Sequence, residues 1–339
     1  MNRIAIFCDG TWNRPDRMED GVPVQTNVVR LAQALAHQSP DGTPQRLYYD
    51  PGIGTSGSVL RRWFDGATGS GISKNILQAY RFLIETYEPG DQIYLFGYSR
   101  GAFTVRSLAG LIRNCGILRR DAAHRVEDAY ELYRSRSDRS SPRAEEAVLF
   151  RRSNALEDVS PVHFIGVWDT VGSLGNPLLL NGFFSRHNRF HDTQLSSTVR
   201  SAFQALAIDE KRLHFKPTLW HQPRPVPGQT LEQVWFVGAH GSVGGGLVRR
   251  GLSDIALEWI KGKAEGAGLT FDALVLEPNY LQAPHDSKRG IYALLKDYHR
   301  PIQKPDPRGE TSESIHQSAV RRYEDDAGYR PPNLEGLIR

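Results

Sequence analysis

A serine flanked by glycines is the residue of this sequence best suited to nucleophilic chemistry. Residues 97–101 read Gly-Tyr-Ser-Arg-Gly and stand between an apolar run that ends at Phe96 and a small-residue segment that begins at Ala102. A strand, a sharp turn and a helix in this order form a nucleophile elbow, in which glycine avoids collisions at the turn. Ser99 is therefore predicted to be a nucleophile. In the alternative interpretation, its side chain only caps the following helix.

A serine needs a histidine to take its proton near neutral pH, and a carboxylate normally orients that histidine. His240 follows the apolar run 234–237 and precedes a glycine-rich segment. A loop that follows a strand is the expected position for the base. His240 is therefore the predicted base, and the alternative is a loop histidine packed beneath the glycines.

Two aspartates are candidates for the carboxylate. Asp169 directly follows the apolar run 162–168, whereas Asp209 follows residues 198–207, a segment that we predict to be a helix. Position at the end of a strand favours Asp169, but spacing alone does not separate the two. The aspartate outside the triad would cap a helix or pair with Arg212.

An oxyanion hole requires two backbone N–H groups, one from the residue after the serine and one from a loop after an early strand. Arg100 is predicted to supply the first. Gly10 or Thr11, which follow the first apolar run, are predicted to supply the second. The alternative is an ordinary turn in which Asp9 and Thr11 bond the local backbone.

These residues require a sheet that brings distant loops together. Short apolar runs predict strands, and segments with helical periodicity predict helices between them. The predicted strands are 4–8, 46–49, 92–96, 162–168 and 234–237, and the predicted helices are 26–37, 72–87, 101–114, 126–134, 198–207 and 252–263. This alternation predicts an α/β fold with a mostly parallel sheet and helices on both faces. Together with the nucleophile elbow, it predicts a single α/β-hydrolase-like domain over residues 1–339. Its chemistry is expected at the carboxyl ends of the strands.

Three segments depart from this pattern. Residues 119–160 are rich in charge and serine, and predict a helical insertion that acts as a lid or cap, or simply as solvated helices. Residues 176–190 form an apolar loop, which either faces an acyl chain or packs into the core. Residues 300–339 are polar and proline-rich, and we expect an irregular tail wrapped on the domain.

Composition narrows the class of protein. The net charge of the 339 residues is 42 − 38 = +4, too small a basic excess to indicate nucleic-acid binding. Two cysteines, no signal-peptide pattern and no apolar stretch of ~20 residues predict a soluble protein made in the cytoplasm. No zinc-type spacing or EF-hand pattern occurs, so neither a metal nor a cofactor is expected. The oligomeric state stays open.

A glycine-rich segment raises a second hypothesis. Residues 66–71 read Gly-Ala-Thr-Gly-Ser-Gly and lead into a predicted helix, as phosphate-binding loops do, but they lack the Gly-Lys-Ser or Gly-Lys-Thr ending of a P-loop. Because such a segment can still expose backbone N–H groups to an anion, the alternative to an enzyme is a non-catalytic ligand- or phosphate-binding protein on the same scaffold.

Several short motifs in a fixed order resemble the uncharacterised-domain family numbered 2235, to which the type VI secretion phospholipase effectors belong. They are DGTWN at 9–13, TNV at 26–28, YDPGIG at 49–54, GYSRGA at 97–102, VWDTV at 167–171, AIDEKR at 207–212 and GAHGSVGGG at 238–246. The similarity continues to residues 329–331 and so covers nearly the whole chain.

The resemblance implies an α/β-hydrolase with a serine nucleophile that acts on acyl esters, phospholipids included, at a membrane surface. It also implies possible export by a specialised secretion system, and it favours Asp209 as the acid. Two features depart from the family: Ser242 stands where an aspartate is common, and 339 residues leave little beyond the hydrolase core. The predicted activity is that of an esterase, lipase or phospholipase working through an acyl-enzyme.

Overall fold

The structure is a computed structural model. It describes residues 1–10, 16–52, 70–135, 137–171, 193–288, 293, 296–304, 306–307 and 309–338. Thr11, residues 66–69 of the glycine-rich segment and the apolar loop 176–190 lie outside the described residues.

Strands and helices alternate along the described chain. The strands are β1 (Arg3–Cys8), β2 (Met18–Glu19), β3 (Val22–Pro23), β4 (Gln45–Asp50), β5 (Gln92–Tyr98), β6 (Val162–Trp168), β7 (Val199–Ala207), β8 (Thr230–Phe236) and β9 (Glu313–Ile315). The helices are α1 (Asn27–Gln33), α2 (Ser70–Thr86), α3 (Arg100–Cys115), α4 (Val126–Arg134), α5 (Glu145–Asn154), α6 (His240–Gly244), α7 (Gly251–Gly266) and α8 (Gln317–Asp325).

The main sheet is parallel and has the order β4-β1-β5-β6-β7-β8-β9, with seven strands among the described residues. From β1 the chain first adds β4 on one side and then β5 and the later strands on the other. The loops after β1 and β5 therefore leave in opposite directions and open a crevice at the carboxyl ends of these strands. Ser99 directly follows β5, so it lies at this crevice.

Both faces of the sheet are covered by helices. Alternate residues of a strand point to opposite faces, and β1 follows this rule. Ile4 and Ile6 pack with the apolar side chains of α2, α3 and α4, whereas Ala5 and Phe7 pack with those of α1 and α7. Burial on both faces explains the continuous apolar runs of the sequence. The predicted α/β-hydrolase-like fold is confirmed.

One predicted helix is wrong. Residues 198–207 contribute strand β7, which pairs with β6 on one side and β8 on the other. Ala202 to Ala207 are all buried, so the segment shows no alternation of apolar and polar residues. A strand that is covered on both faces cannot be told from a buried helix by periodicity.

The helical insertion packs on the helices that cover one face of the sheet. A Cβ atom placed on Gly110 of α3 would lie 2.9 Å from the ring of Tyr133 in α4. The Cys115 thiol lies 3.1 Å from the carbonyl oxygen of Ala129. Both contacts involve the second half of α3, away from Ser99 at its start. A role of residues 119–160 as a lid stays a prediction.

The C-terminal segment is more regular than predicted, because it contains β9 and α8. β9 extends the sheet beside β8, where Trp235 Nε1 donates a hydrogen bond to Glu313 at 2.7 Å. Ile302, Ala319 and Leu334 pack with Trp235 in a third apolar cluster. A strand of three residues is too short to show a periodic pattern, so the prediction of an irregular tail missed it.

Candidate active site

Ser99 occupies the tight turn between β5 and α3. Its backbone angles are φ 57° and ψ −118°, a region that costs a residue with a side chain about 1–3 kcal/mol. The flanking glycines are required by space. A Cβ at Gly97 would lie 2.6 Å from the Gly101 oxygen, and a Cβ at Gly101 would lie 2.0 Å from the Cys8 oxygen. The packing of β1 against the start of α3 thus holds the serine in this conformation.

His240 is the first residue of the short helix α6, which follows β8 after a connection of three residues. Its Nε2 lies 2.9 Å from Ser99 Oγ. The imidazole packs against two aromatic rings, with centroid distances of 4.7 Å to Tyr98 and 5.0 Å to Phe215. The Tyr98 hydroxyl also donates a hydrogen bond to the His240 carbonyl at 3.2 Å. These contacts hold the imidazole facing the serine.

Asp169, which directly follows β6, lies on the other side of the imidazole. Its Oδ2 is 2.5 Å from His240 Nδ1, and its Oδ1 accepts a hydrogen bond from the Ala207 amide at 3.1 Å. A carboxylate beside Nδ1 favours the tautomer with the proton on that nitrogen. In that tautomer Nε2 carries no proton and can accept a hydrogen bond from the Ser99 hydroxyl.

Arg300 contacts the same carboxylate, and the sequence analysis did not identify it. Its side chain is fully buried, with Nη1 at 2.6 Å from Asp169 Oδ1 and Nη2 at 3.0 Å from Oδ2. Burial raises the pKa of Asp169, but the charge of Arg300 and the hydrogen bonds from His240 and Arg300 outweigh it. The pKa of this carboxyl is therefore held well below its ordinary value. Arg300 precedes a proline in a polar stretch, so no local signal could have found it.

Asp209, the other candidate acid, is bonded elsewhere. It accepts a hydrogen bond from the Gly238 amide at 2.6 Å and from the Tyr329 hydroxyl at 3.0 and 3.1 Å. Among the described residues, none of these bonds reaches the imidazole of His240. Burial raises the pKa of Asp209. The structure thus joins Asp169, and not Asp209, to His240, and Asp209 links the C-terminal segment to the loop before the histidine.

Glu210 is a second residue that sequence reasoning missed. Its carboxylate accepts a hydrogen bond from the His240 amide at 3.2 Å and pairs with the Arg212 guanidinium at 2.7 and 2.8 Å. Burial raises the pKa of Glu210, but the hydrogen bond and charge of Arg212 lower it below its ordinary value. Arg212 in turn lies 3.5 Å above the ring of Phe215, which packs against His240. The AIDEKR motif therefore supports the histidine from its backbone side.

The predicted oxyanion donors are only partly described. Arg100 is the first residue of α3, and the amides of a helix's first turn have no acceptor within the helix. Burial lowers the pKa of its guanidinium to about 10. The Gly10 amide donates to Asp9 Oδ1 at 2.6 Å, so an oxyanion would compete with that carboxylate. Thr11 lies outside the described residues, and the oxyanion assignment stays a prediction.

Within the described ranges, no group of three or more His, Cys, Asp or Glu side chains is arranged to hold a metal ion. The expectation of no metal or cofactor stays a prediction. None of the helices seen in those ranges is both long enough and apolar enough to cross a bilayer.

Comparisons with known proteins identify the family of this chain. Residues 2–263 match the sequence profile described as "T6SS, Phospholipase effector Tle1-like, catalytic domain". Uncharacterized protein YEL023C of Saccharomyces cerevisiae is 32% identical over 234 residues, which are 63% of this chain and 32% of that protein. The crystal structure of an uncharacterized protein from Pseudomonas aeruginosa is 15% identical, with a TM-score of 0.54 over 98% of this chain and 52% of that chain.

The Tle1 effector bound to the VgrG spike of the type 6 secretion system is 18% identical, with a TM-score of 0.39 over 72% of this chain and 50% of that chain. The chain thus spans about a third of the yeast protein and about half of each of the two solved chains. The likeness to the Pseudomonas structure supports the fold.

The profile match extends from β1 almost to the end of α7 and includes Ser99, Asp169 and His240, whereas Arg300 lies beyond it. It covers well over half of the chain and bears out the resemblance that the short motifs indicated. The chain belongs to the family of type VI secretion phospholipase effectors described as Tle1-like catalytic domains.

Proposed function

We propose that this protein is a serine hydrolase that cleaves acyl esters of lipids, with Ser99 as nucleophile, His240 as base and Asp169 as the carboxylate that orients the base. The observation that carries the proposal is the continuous hydrogen-bonded chain Ser99 Oγ, His240 Nε2, His240 Nδ1 and Asp169 Oδ2, with distances of 2.9 and 2.5 Å. The family's description supports a phospholipid as substrate.

The reaction follows from the chemistry of these groups. Ser99 Oγ attacks the acyl carbonyl carbon while His240 Nε2 takes the hydroxyl proton. The bond from that carbon to the leaving alcohol then breaks, and the imidazolium returns the proton to the departing oxygen. Water repeats the same steps on the acyl-serine and releases the fatty acid. Asp169 stays anionic and stabilises the imidazolium in both halves of the reaction.

The negative charge of the tetrahedral intermediate requires backbone donors. We propose the Arg100 amide as one donor, with Gly10 or Thr11 as the second. Because Asp9 accepts the Gly10 amide at 2.6 Å, the Gly10 donor requires a shift of that carboxylate when substrate binds. A lipid substrate also implies contact with a micelle or membrane surface.

A fluorophosphonate probe and an ester assay test the proposal. The wild-type protein is expected to be labelled at Ser99, and Ser99→Ala is expected to lose labelling and nearly all ester turnover. A panel of lipids analysed by mass spectrometry would then identify the acyl position and the head-group. Absence of labelling in the folded wild-type protein would contradict the proposal and favour the non-catalytic binding protein.

A further inference from the structure

Arg300 is joined to the proposed active site by four hydrogen bonds to three of the described residues. Nη1 and Nη2 each donate a hydrogen bond to a different oxygen of Asp169, at 2.6 and 3.0 Å. Nη1 also donates to the Ala207 carbonyl at 2.9 Å, and Nη2 donates to the Phe215 carbonyl. The guanidinium thus joins the carboxylate to the end of β7 and to the residue whose ring packs on His240.

A buried carboxylate requires such a partner. Asp169 is fully buried, and an isolated charge in that position would be strongly disfavoured. Among the described residues, its other hydrogen-bond donors are the Ala207 amide and the His240 imidazole, and neither carries a permanent charge. Arg300 supplies the positive charge, and its planar fork binds both oxygens in one orientation. That orientation presents Oδ2 to His240 Nδ1.

We infer that Arg300 is a positioning residue for the proposed hydrolysis. Its guanidinium holds Asp169 ionised and oriented so that Oδ2 contacts His240 Nδ1. The inference rests on the proposed function. Arg300 does not touch the reacting atoms and acts through Asp169. The family profile ends at residue 263, before Arg300. A segment beyond the profile therefore contributes a residue to the site.

The C-terminal segment is anchored at several points that follow Arg300 in the chain. Ile302 is buried in the apolar cluster that contains Trp235 of β8. Further along, the Tyr329 hydroxyl bonds Asp209, and Asn333 donates to the Ile208 carbonyl at 3.0 Å. These contacts fix the segment against the ends of β7 and β8, so that the guanidinium has a defined place beside Asp169.

The pH dependence of turnover separates positioning from a merely structural role. Titratable groups near Asp169 and His240 among the described residues include Tyr98, Glu210 and Arg212, with Asp9 beyond Tyr98, and Tyr298 lies near Arg300 itself. The charge of Arg300 also lowers the pKa of Glu210, but Glu210 keeps its ion pair with Arg212 when Arg300 is replaced. Loss of the positive charge of Arg300 makes it easier to place a proton on the pair of Asp169 and His240. The acid limb of kcat/KM must therefore move to higher pH.

The experiment compares Arg300→Met, Arg300→Lys and the control Arg151→Met. For Arg300→Met we expect kcat/KM at neutral pH to fall roughly ten- to a hundredfold, because the variant loses the hydrogen-bonded partner that orients the Asp169 carboxylate. Its acid limb should rise by about one pH unit or more. Arg300→Lys keeps the charge but not the fork, so kcat should fall while the acid limb stays near that of the wild type.

Arg151 is a matched control because its guanidinium is also buried and bonds the carbonyls of Asn114 and Pro142 at 2.9 Å, far from the pair. Arg151→Met should lower the melting temperature without moving the pH profile. A folded Arg300→Met with the wild-type profile would overturn the inference. If that variant does not fold, an Arg300→Lys protein with unchanged kcat would do so.

The same experiment distinguishes failure of the proposed function. A wild-type protein that shows no turnover dependent on Ser99 and no fluorophosphonate labelling defeats the hydrolase itself. A wild type that is active and labelled, together with Arg300 variants of unchanged rate and profile, defeats only the role of Arg300.

Discussion

Ser99 and Asp169 follow paired residues of neighbouring strands, and both have a positive backbone φ, 57° and 42°. The Ser99 amide donates a hydrogen bond to the carbonyl of Trp168, the residue before Asp169, at 3.0 Å. Residues other than glycine rarely adopt this conformation, and it persists only where surrounding packing enforces it. The strain is thus concentrated at the two strand ends that carry the proposed nucleophile and acid.

Replacing the serine should release part of that strain. Ser99→Gly is expected to have a free energy of unfolding about 1 kcal/mol higher than that of Ser99→Ala, because glycine adopts positive φ without a steric penalty. Urea unfolding of the two variants measures the difference. Neither variant should hydrolyse esters, so activity does not confuse the comparison. A glycine variant that is less stable than the alanine variant would show that the turn is not strained.

The two aspartates should respond differently to amide substitution. Asp169→Asn should lower turnover by up to ~10⁴, because the amide no longer favours the required tautomer of His240. Asp209→Asn should leave turnover of the folded protein nearly unchanged and cost about 1 kcal/mol of stability, since Asp209 bonds Gly238 and Tyr329. Steady-state kinetics and thermal unfolding of both proteins check this. Full activity in Asp169→Asn would reject the proposed acid.

Removal of the Tyr329 hydroxyl should destabilise the protein more at neutral than at acidic pH. Burial raises the folded pKa of Asp209, so its stabilising contribution is complete below the unfolded value of about 3.9 and is lost as pH rises through the folded value. Tyr329→Phe removes a hydrogen bond that lowers this pKa, which leaves the ionised carboxylate less satisfied. We expect a loss of about 1–3 kcal/mol near neutral pH and a smaller loss near pH ~4.

Urea unfolding at the two pH values measures the effect of Tyr329→Phe. Tyr280→Phe is the matched control, because it removes an exposed hydroxyl that donates to Asp325 at 2.7 Å. It should change stability little at either pH. Equal losses of stability for Tyr329→Phe at both pH values would mean that Asp209 has the same charge at both pH values in the folded protein.

Alanine should have opposite effects at Gly101, where α3 approaches β1 closely, and at Gly262, where the helix surface is open. Gly101→Ala would place a Cβ 2.0 Å from the Cys8 oxygen, so we expect loss of the folded protein or of ester turnover. At Gly262 of α7, no heavy atom of the described residues, apart from the adjacent backbone of the helix, lies within 4 Å of the added Cβ, and alanine should stabilise the helix by up to about 1 kcal/mol. Soluble yield, circular dichroism and melting temperature compare the variants. A stable and active Gly101→Ala protein would contradict the described turn.

Local requirements made part of this protein predictable from its sequence. The turn at residues 97–101 requires glycine on both sides of the serine, and a motif of five consecutive residues shows this requirement. The strands before Ser99, Asp169 and His240 are buried on both faces, and continuous apolar runs reveal them. The helices α3, α4 and α7 show the expected periodicity, so the parallel α/β sheet followed from these patterns.

Tertiary structure alone decided which groups meet. Residues 198–207 are a strand because β6 and β8 provide hydrogen-bonding partners on both sides, whereas their own pattern also suits a buried helix. Asp169 and Asp209 both follow β-strands, and only the path of the loop before His240 directs one to the imidazole and the other to a backbone amide. Arg300 reaches Asp169 across 131 residues of chain. A contact between distant buried charges depends on three-dimensional distance and desolvation, which leave no periodic trace in the sequence.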